Sequence, residues 1–370
     1  MTWMVFIILL LTALSASGIG TFLTLRCLSM ITDAISHSVL LGIVLAYFVT
    51  KDLDSPFLVV GATVFGLITV YAIESLANSG LVKNDDAVGI IFPLFFALAV
   101  ILISRYASNV HLDVDVVLMG EVILAPLNTM NFFGLEVPKA LVYSSFTFIL
   151  NSIFIAVFFK ELKITTFDPD FASLSGFPST FLFYTLMTLA SLTAVVSFNS
   201  VGAILVISFF IAAPATAFLI SKDLKVMLIL SGVFSLVNSL LGFLIGNWLN
   251  VSISGMTASI AGLVFILVWL FNREGVITQI YKRREDKKDF KAYLMLLHIG
   301  NHSGTAVEKQ ELSFNTINEH LNWTKEEATE IADYLSTKDF ISANKGKQIY
   351  ELTDNGRSKY QELVKEYSLS

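Results

Sequence analysis

The sequence predicts an all-α polytopic membrane protein, with about eight or nine transmembrane helices and a small cytoplasmic α+β domain. Of its 370 residues, 55% are hydrophobic and only 15% are charged, and the mean hydropathy is +0.73. Apolar windows of about 20 residues, each long enough to span a bilayer, recur through the first three quarters of the chain. Near residue 275 the composition changes abruptly to a mixture of charges.

Candidate spans follow from the apolar windows and the polar breaks between them. The first window is predicted to be a retained span rather than a signal peptide, because it lacks a positively charged start. The sixth and seventh windows form either one hairpin or a less regular unit, and a short, partly inserted helix is predicted around residues 114–124. The nine windows cover residues 3–25, 34–50, 56–79, 87–106, 136–159, 179–197, 199–220, 224–248 and 254–272.

The distribution of Lys and Arg predicts which side each loop occupies. The densest basic run follows the last span, at residues 272–291, and is predicted to be cytoplasmic. Counting spans backwards places the loop 160–179, the loop 81–86 and Arg26 on the same side. Nine spans then leave the N-terminus outside.

The chain is predicted to divide into a transmembrane domain (1–275), a basic linker (276–288) and a winged-helix-like domain (289–370). Thr324 is predicted to cap a helix, with Glu327 at the capping-box position. A hairpin is predicted to turn at Asn344-Lys345-Gly346. The elements, in the order typical of a winged helix, are helices at 289–300, 313–323 and 324–340, the hairpin at 340–353 and a helix at 354–368.

Two polar residues, Asp33 and His37, lie in the otherwise apolar run of residues 29–50, which includes the second window. At positions i and i+4 they lie on one face of a helix, about 6 Å apart. A carboxylate and an imidazole inside a membrane segment usually mark a pathway, and together they supply half of a divalent-metal site. The alternative is that Asp33 caps the start of the span and His37 bonds to a neighbouring carbonyl. The spacing alone does not decide between these alternatives.

The loop between the fifth and sixth spans carries acidic residues, a proline and a run of small residues. It is predicted to form a short helix from Asp168 to Ser175, ended by Gly176. This helix either docks into a groove on a partner or is a plain connection. In residues 200–221, which nearly coincide with the seventh window, small residues and Pro214 favour close helix packing.

Six blocks of sequence, together covering about residues 1–275, resemble the permease subunit of the ABC importers for manganese, zinc and iron, and so imply a type II ABC importer-like fold. One departure is visible, because Ile253 stands where the family often has a proline. The blocks, in chain order, are "LRCLSMITDAISHSVLLGIVLAY", "DDAVGIIFPLFFALAVIL", "VDVVLMGEVI", "ITTFDPDFASLSGF", "SVGAILVISFFIAAPATA" and "SGMTASIAGLVFIL".

The resemblance implies roles for particular residues. Asp33 and His37 are expected to bind the metal during passage, and two copies of the pair would face each other in a homodimer. A second segment, which we call the coupling segment, is expected to seat on the ATPase. Its residues are Asp168, Pro169, Asp170, Phe171, Ala172, Leu174 and Gly176.

The implied function is ATP-driven import of a divalent transition metal, with manganese favoured and zinc or iron as alternatives. The chain contains no glycine-rich Walker sequence, so it is not expected to be an enzyme, and ATP hydrolysis is assigned to a separate ATPase subunit. An extracellular metal-binding protein is the other expected partner. The chain itself is expected to lie in the plasma membrane of a bacterium, with its C-terminal domain in the cytoplasm. The ion is cargo, and no permanently bound cofactor is expected. More remote alternatives are an ion-coupled secondary transporter and a membrane-anchored winged-helix regulator.

The winged-helix-like domain is not expected to bind nucleic acid. Its presumed recognition helix carries four acidic residues against Lys325 alone, and phosphate contacts require basic residues. A regulatory or interaction role is favoured instead. His298, His302 and His320 raise the idea of metal sensing, but their spacing matches no ligand motif, and structural or solvated histidines are favoured. Likewise, His111, Asp113 and Asp115 in the predicted extracellular loop are expected to be solvated rather than to attract cations.

Overall fold

The long apolar runs form helices, because a helix satisfies every backbone N–H and C=O group within its own segment inside lipid. The computed structural model describes residues 2–52, 55–106, 122–132, 135–273 and 275–366. The chain divides into two compact units, Met1–Arg273 and Glu274–Ser370. The helices of the first unit are α1 (Thr2–Leu25), α2 (Ser29–Thr50), α3 (Phe57–Asn78), α4 (Asn84–Tyr106), α5 (Lys139–Val157), α6 (Phe159–Phe167), α7 (Pro169–Leu174), α8 (Ser179–Val201), α9 (Ala203–Ile220), α10 (Leu224–Leu249) and α11 (Ile253–Phe271).

Among the described residues, nine helices are long and apolar enough to cross a membrane, as the sequence predicts. The predicted bounds hold to within a few residues, except that α2 begins at Ser29, five residues earlier than expected. The sixth and seventh windows are two separate helices, α8 and α9, divided by Gly202, whose φ is +85°. The prediction of a less regular unit therefore describes this pair better than a simple hairpin.

The connection before α5 is more structured than the sequence suggested. A 3-10 turn at Ala125–Leu127 leads into an antiparallel hairpin of β1 (Thr129–Phe132) and β2 (Leu135–Pro138). This hairpin is not among the elements predicted from the sequence, because each strand is only four residues long. Pro138 ends β2 and immediately precedes α5. The short helix predicted around 114–124 falls mostly outside the described residues.

Helix α1 lies at the centre of the first unit and contacts α5, α8, α9 and α10. A Cβ atom added to Gly20 would overlap the backbone carbonyl of Phe210 in α9. Pro214, four residues further along α9, has no N–H to bond that carbonyl. Gly20 therefore allows α1 to approach α9 at the point where the proline leaves the helix backbone irregular.

Buried polar groups also tie α1 to its neighbours. The Asn151 side-chain amide of α5 donates to Ser15 Oγ at 2.9 Å and to Thr193 Oγ1 of α8 at 2.8 Å. Because water cannot satisfy such groups inside a bilayer, these bonds fix the relative positions of three helices.

The second unit has its own apolar core, built on Leu296, Ile299 and Leu312. The predicted capping box is confirmed, since Thr324 Oγ1 accepts from Glu327 N–H and the Glu327 carboxylate accepts from Thr324 N–H. The predicted hairpin is also present. The elements of this unit are α12 (Val276–His302), α13 (Glu308–Glu311), α14 (Ile317–His320), α15 (Lys325–Thr337), β3 (Ile341–Asn344), β4 (Ile349–Leu352) and α16 (Asp354–Glu366).

Two features of this unit differ from the predicted pattern. The basic stretch 276–288 is helical and forms the first half of α12. The helix expected at 313–323 is reduced to a single turn, α14. Asn322 ends it by adopting a left-handed conformation with φ of +56°, while Trp323 N–H bonds to the Asn318 carbonyl. This is the Schellman pattern of a helix end, which asparagine tolerates better than most residues.

Candidate metal and coupling sites

The pair Asp33 and His37, which we call the α2 pair, lies within the helix rather than at its start. Asp33 is the fifth residue of α2, and Leu28 occupies the N-cap position. The alternative that Asp33 caps the span is therefore wrong. His37 Nε2 lies 3.5 Å from Asp33 Oδ1, as the i, i+4 spacing predicts. At 1.5 Å per residue the two side chains begin about 6 and 12 Å along the helix from its first residue.

The α2 pair differs from the hydroxyl groups beside it, which are satisfied within the helix. The neighbouring hydroxyls of Thr32 and Ser36 donate to carbonyls of α2 itself. The His37 ring packs against two rings of α4, with centroid distances of 5.4 Å to Phe92 and 5.7 Å to Phe96. This aromatic wall covers one side of the imidazole and orients it toward Asp33.

One chain leaves the α2 pair partly uncovered. The Asp33 side chain is 33% exposed and that of His37 is 27% exposed. Together they offer one imidazole nitrogen and one carboxylate group, whereas a transition metal takes four or more ligands. Within the described residues the pair therefore supplies only part of the ligand set of a divalent ion.

The coupling segment forms the predicted short helix, α7. Asp168 caps it, because its Oδ1 accepts from Phe171 N–H at 2.9 Å, and Pro169 is its first residue. At the other end, Phe177 N–H bonds to the Ala172 carbonyl at 3.0 Å. Gly176 sits in this turn with φ of +81°, where any side chain would be strained. Both ends of a six-residue helix are thus fixed by local bonds.

The exposed side chains of α7 are apolar as well as acidic. Phe171 is 56% exposed and Leu174, three residues later on the same face, is 89% exposed. Ala172 is fully buried and anchors the helix to its own unit. An apolar ridge held out by a capped helix is a surface suited to insertion into a groove of another protein.

Arg26, in the turn between α1 and α2, bonds to the end of α6 just before the coupling segment, a contact that the sequence pattern does not predict. Its Nη2 donates to Thr165 Oγ1 at 2.9 Å, and its Nε donates to Thr166 Oγ1 at 3.1 Å. Burial lowers the pKa of the Arg26 guanidinium. In the sequence, Arg26 is a single cation directly after an apolar helix. That position predicts the membrane side of the loop but not the residues that Arg26 bonds.

The structure also brings together the three histidines of the second unit. His298, His302 and His320 gather around Glu311, although their spacing suggested no ligand motif. The missed signal was the separation of four residues between His298 and His302 on one helix. The other candidates named from sequence, His111, Asp113 and Asp115, lie outside the described residues.

Comparison with known proteins agrees with this geometry. A family model described as the ABC 3 transport family matches residues 1–272. The chain is 44% identical over 271 residues to the manganese transport system membrane protein MntD of Bacillus subtilis (strain 168), covering 73% of this chain and 92% of MntD. It is 40% identical over 332 residues to the zinc transport system membrane protein TroD of Treponema pallidum (strain Nichols), covering 90% of each.

A solved structure supports the same assignment. PsaBC from Streptococcus pneumoniae in complex with Fab matches with a TM-score of 0.60 and 32% identity, over 72% of this chain and 90% of that one. The family model, both relatives and the structural match thus agree on the transmembrane unit. The chain therefore belongs to the ABC 3 transport family.

Proposed function

We propose that this multi-pass protein of the cell membrane is the permease subunit of an ATP-driven importer of divalent transition metals. The observation that carries the proposal is the α2 pair, a carboxylate and an imidazole 3.5 Å apart on a membrane-spanning helix. Family membership and the names of the relatives MntD and TroD support the same activity.

The exposure of the α2 pair supports a homodimer. Insertion of an aspartate into the centre of a membrane helix costs about 2.5–3.5 kcal/mol. The Asp33 side chain, which is 33% exposed in one chain, is therefore expected to be shielded from lipid by another protein surface. A second copy supplies it, together with a second Asp33 and a second His37. Two imidazole nitrogens and at least two carboxylate oxygens then surround the ion.

Manganese is the proposed cargo, with zinc as the alternative. The α2 pair offers nitrogen and oxygen but no sulfur, a ligand set that suits Mn²⁺ and Fe²⁺ as well as Zn²⁺. The name of MntD favours manganese, whereas that of TroD favours zinc. An extracellular metal-binding protein would deliver the ion and share in its selection.

The proposed mechanism is alternating access driven by a separate ATPase subunit. The apolar ridge of Phe171 and Leu174 would seat on that subunit from the cytoplasmic side. Movement of α7 would reach the metal helix through Arg26, which bonds α6 just before α7 and lies just before α2. The cation leaves the α2 pair when the two copies of α2 separate.

The test is metal accumulation in cells that depend on this chain, with manganese, zinc and iron measured in parallel. Asp33→Ala and His37→Ala should each abolish accumulation of the cargo. Ser38→Ala is the matched control, because that hydroxyl bonds only its own helix at Ile35. Unchanged accumulation of all three metals in both variants would remove the metal-site assignment.

A further inference from the structure

A second group of metal-ligating side chains lies in the C-terminal unit, outside the part of the chain that the family model matches. We call it the His–Glu cluster: His298, His302, Glu311 and His320. His302 is the last residue of α12, Glu311 the last of α13 and His320 the last of α14. Three helix ends therefore meet here and bring these four side chains together.

The distances within the cluster are short. Ligand atoms of His298, His302 and Glu311 all lie within 4.8 Å of one another. The Glu311 carboxylate lies 3.0 Å from His320 Nδ1 and 3.6 Å from His298 Nε2. In a tetrahedral site with bonds of about 2.0–2.2 Å, neighbouring ligand atoms are about 3.3–3.6 Å apart. Movements of about 1 Å would bring the ligand atoms of His298, His302 and Glu311 to that spacing, and His320 adjoins them through the Glu311 carboxylate.

We propose that the His–Glu cluster is a divalent transition-metal site, distinct from the α2 pair, with three imidazole nitrogens and one carboxylate oxygen as ligands. Such a set has the four donors of a closed structural zinc site. Zn²⁺ binds it more tightly than Mn²⁺ does, following the general order of divalent affinities. The site is complete within one chain and does not depend on the proposed transport function.

The scaffold of the cluster is rigid enough to hold such a site. Ile299, next to His298, and Leu312, next to Glu311, are fully buried in the core of this unit, and Ile317 anchors α14 three residues before His320. His298 and His302 face the same side of α12, with ring centroids 4.7 Å apart. A shared metal ion would give these two imidazoles and that of His320 a common partner.

The competing explanation is a purely structural polar cluster, in which the Glu311 backbone carbonyl accepts from His298 Nε2 at 3.2 Å and the Glu311 carboxylate accepts from His320 Nδ1 at 3.0 Å. That explanation needs no role for His302, which makes a ring contact with His298. His302 is therefore the side chain that separates the two explanations. A metal site loses a ligand when His302 is changed, whereas a structural cluster keeps its Glu311 contacts.

The experiment uses the full-length chain in lipid nanodiscs, with Asp33→Ala and His37→Ala present so that the α2 pair contributes no metal. Zn²⁺ retained after dialysis is measured by elemental analysis, and Co²⁺ serves as a spectroscopic probe of tetrahedral nitrogen coordination. We expect one Zn²⁺ per chain and a visible Co²⁺ absorption band. His302→Gln, His320→Gln and Glu311→Gln should each weaken Zn²⁺ binding by at least about tenfold.

The matched control is Glu326→Gln, which removes an exposed carboxylate of the same unit and should leave Zn²⁺ binding unchanged. Thermal unfolding without metal shows which variants keep the fold, and any folded variant among the three decides the question. No retained Zn²⁺ in the parent chain, or wild-type affinity in folded His302→Gln, would overturn the proposal.

Discussion

The α2 pair offers two ligand groups from consecutive turns of one helix, whereas the His–Glu cluster offers four from the ends of three helices. The first lies in a membrane-spanning helix and stays about a third exposed in one chain. The second is half-buried beside a complete apolar core. Both combine imidazole and carboxylate, so the difference between them lies in completeness and enclosure rather than in ligand type.

That difference matches two kinds of metal handling. A site on a transport pathway must bind well enough to accept the ion and weakly enough to release it. In the proposed homodimer, two ligands on each helix would meet this demand, because separation of the two chains would halve the ligand set. Four ligands within one rigid unit have no such release step, which suits retention. The proposals therefore assign passage to the α2 pair and lasting occupancy to the His–Glu cluster.

The largest expected effects come from replacing one histidine in the α2 pair and, separately, one in the His–Glu cluster. His37→Gln should reduce metal accumulation to background and leave the Zn²⁺ content of the His–Glu cluster unchanged. His302→Gln should do the reverse. Metal-depleted cells should still accumulate the cargo metal, and the His–Glu cluster should lose its bound Zn²⁺. Parallel measurements of uptake and bound Zn²⁺ test the comparison, and a variant that abolishes both quantities would break it.

A change in the coupling segment should separate binding from transport in the membrane unit. Leu174→Asp places a charge on the exposed apolar ridge, so uptake should fall to background, because the proposed docking on the ATPase would lose its apolar contact. Metal binding to the purified chain should persist. Leu174→Met, which keeps the ridge apolar, is the control. Uptake that survives Leu174→Asp would instead favour an ion-coupled secondary transporter.

Arg26→Ala should have a smaller effect on the same pathway. It removes two hydrogen bonds from a charged donor, each worth about 1.5–3 kcal/mol. We expect uptake to fall several-fold and metal-stimulated ATPase activity of the complex to fall with it. Lys163→Ala, which removes an exposed cation of α6, is the control. Equal uptake in the two variants would show that Arg26 does not couple α6 to α2.

The smallest expected effect concerns the C-terminal unit alone. Thr324→Ala removes the helix cap of α15 and should destabilise that unit by about 1 kcal/mol, measured by hydrogen exchange of its amides. Metal uptake should not change. Thr329→Ala in the same helix is the control, because its hydroxyl bonds only the carbonyl of Lys325 within the helix. Reduced uptake in Thr324→Ala would show that the two units are more closely linked than the comparison assumes.

Several features of this protein followed from local sequence patterns. The nine spans follow from apolar length, the cap of α15 from Thr324 and Glu327, and the ends of α7 from Asp168 and Gly176. The contact between Asp33 and His37 is of the same kind, because i, i+4 neighbours must meet on a helix. In each case the interacting groups are only a few residues apart, so backbone geometry alone brings them together.

Contacts between distant segments depended instead on how the helices pack. The bonds of Arg26 to Thr165 and Thr166 cross about 140 residues of chain, and nothing in either segment announces the other. The approach of Gly20 to the Phe210 carbonyl is similar. The His–Glu cluster joins three helix ends whose meeting point is set by the core around Ile299 and Leu312. Periodicity specifies which face of a helix is apolar, but only packing in three dimensions decides which faces meet and which polar groups are brought together between them.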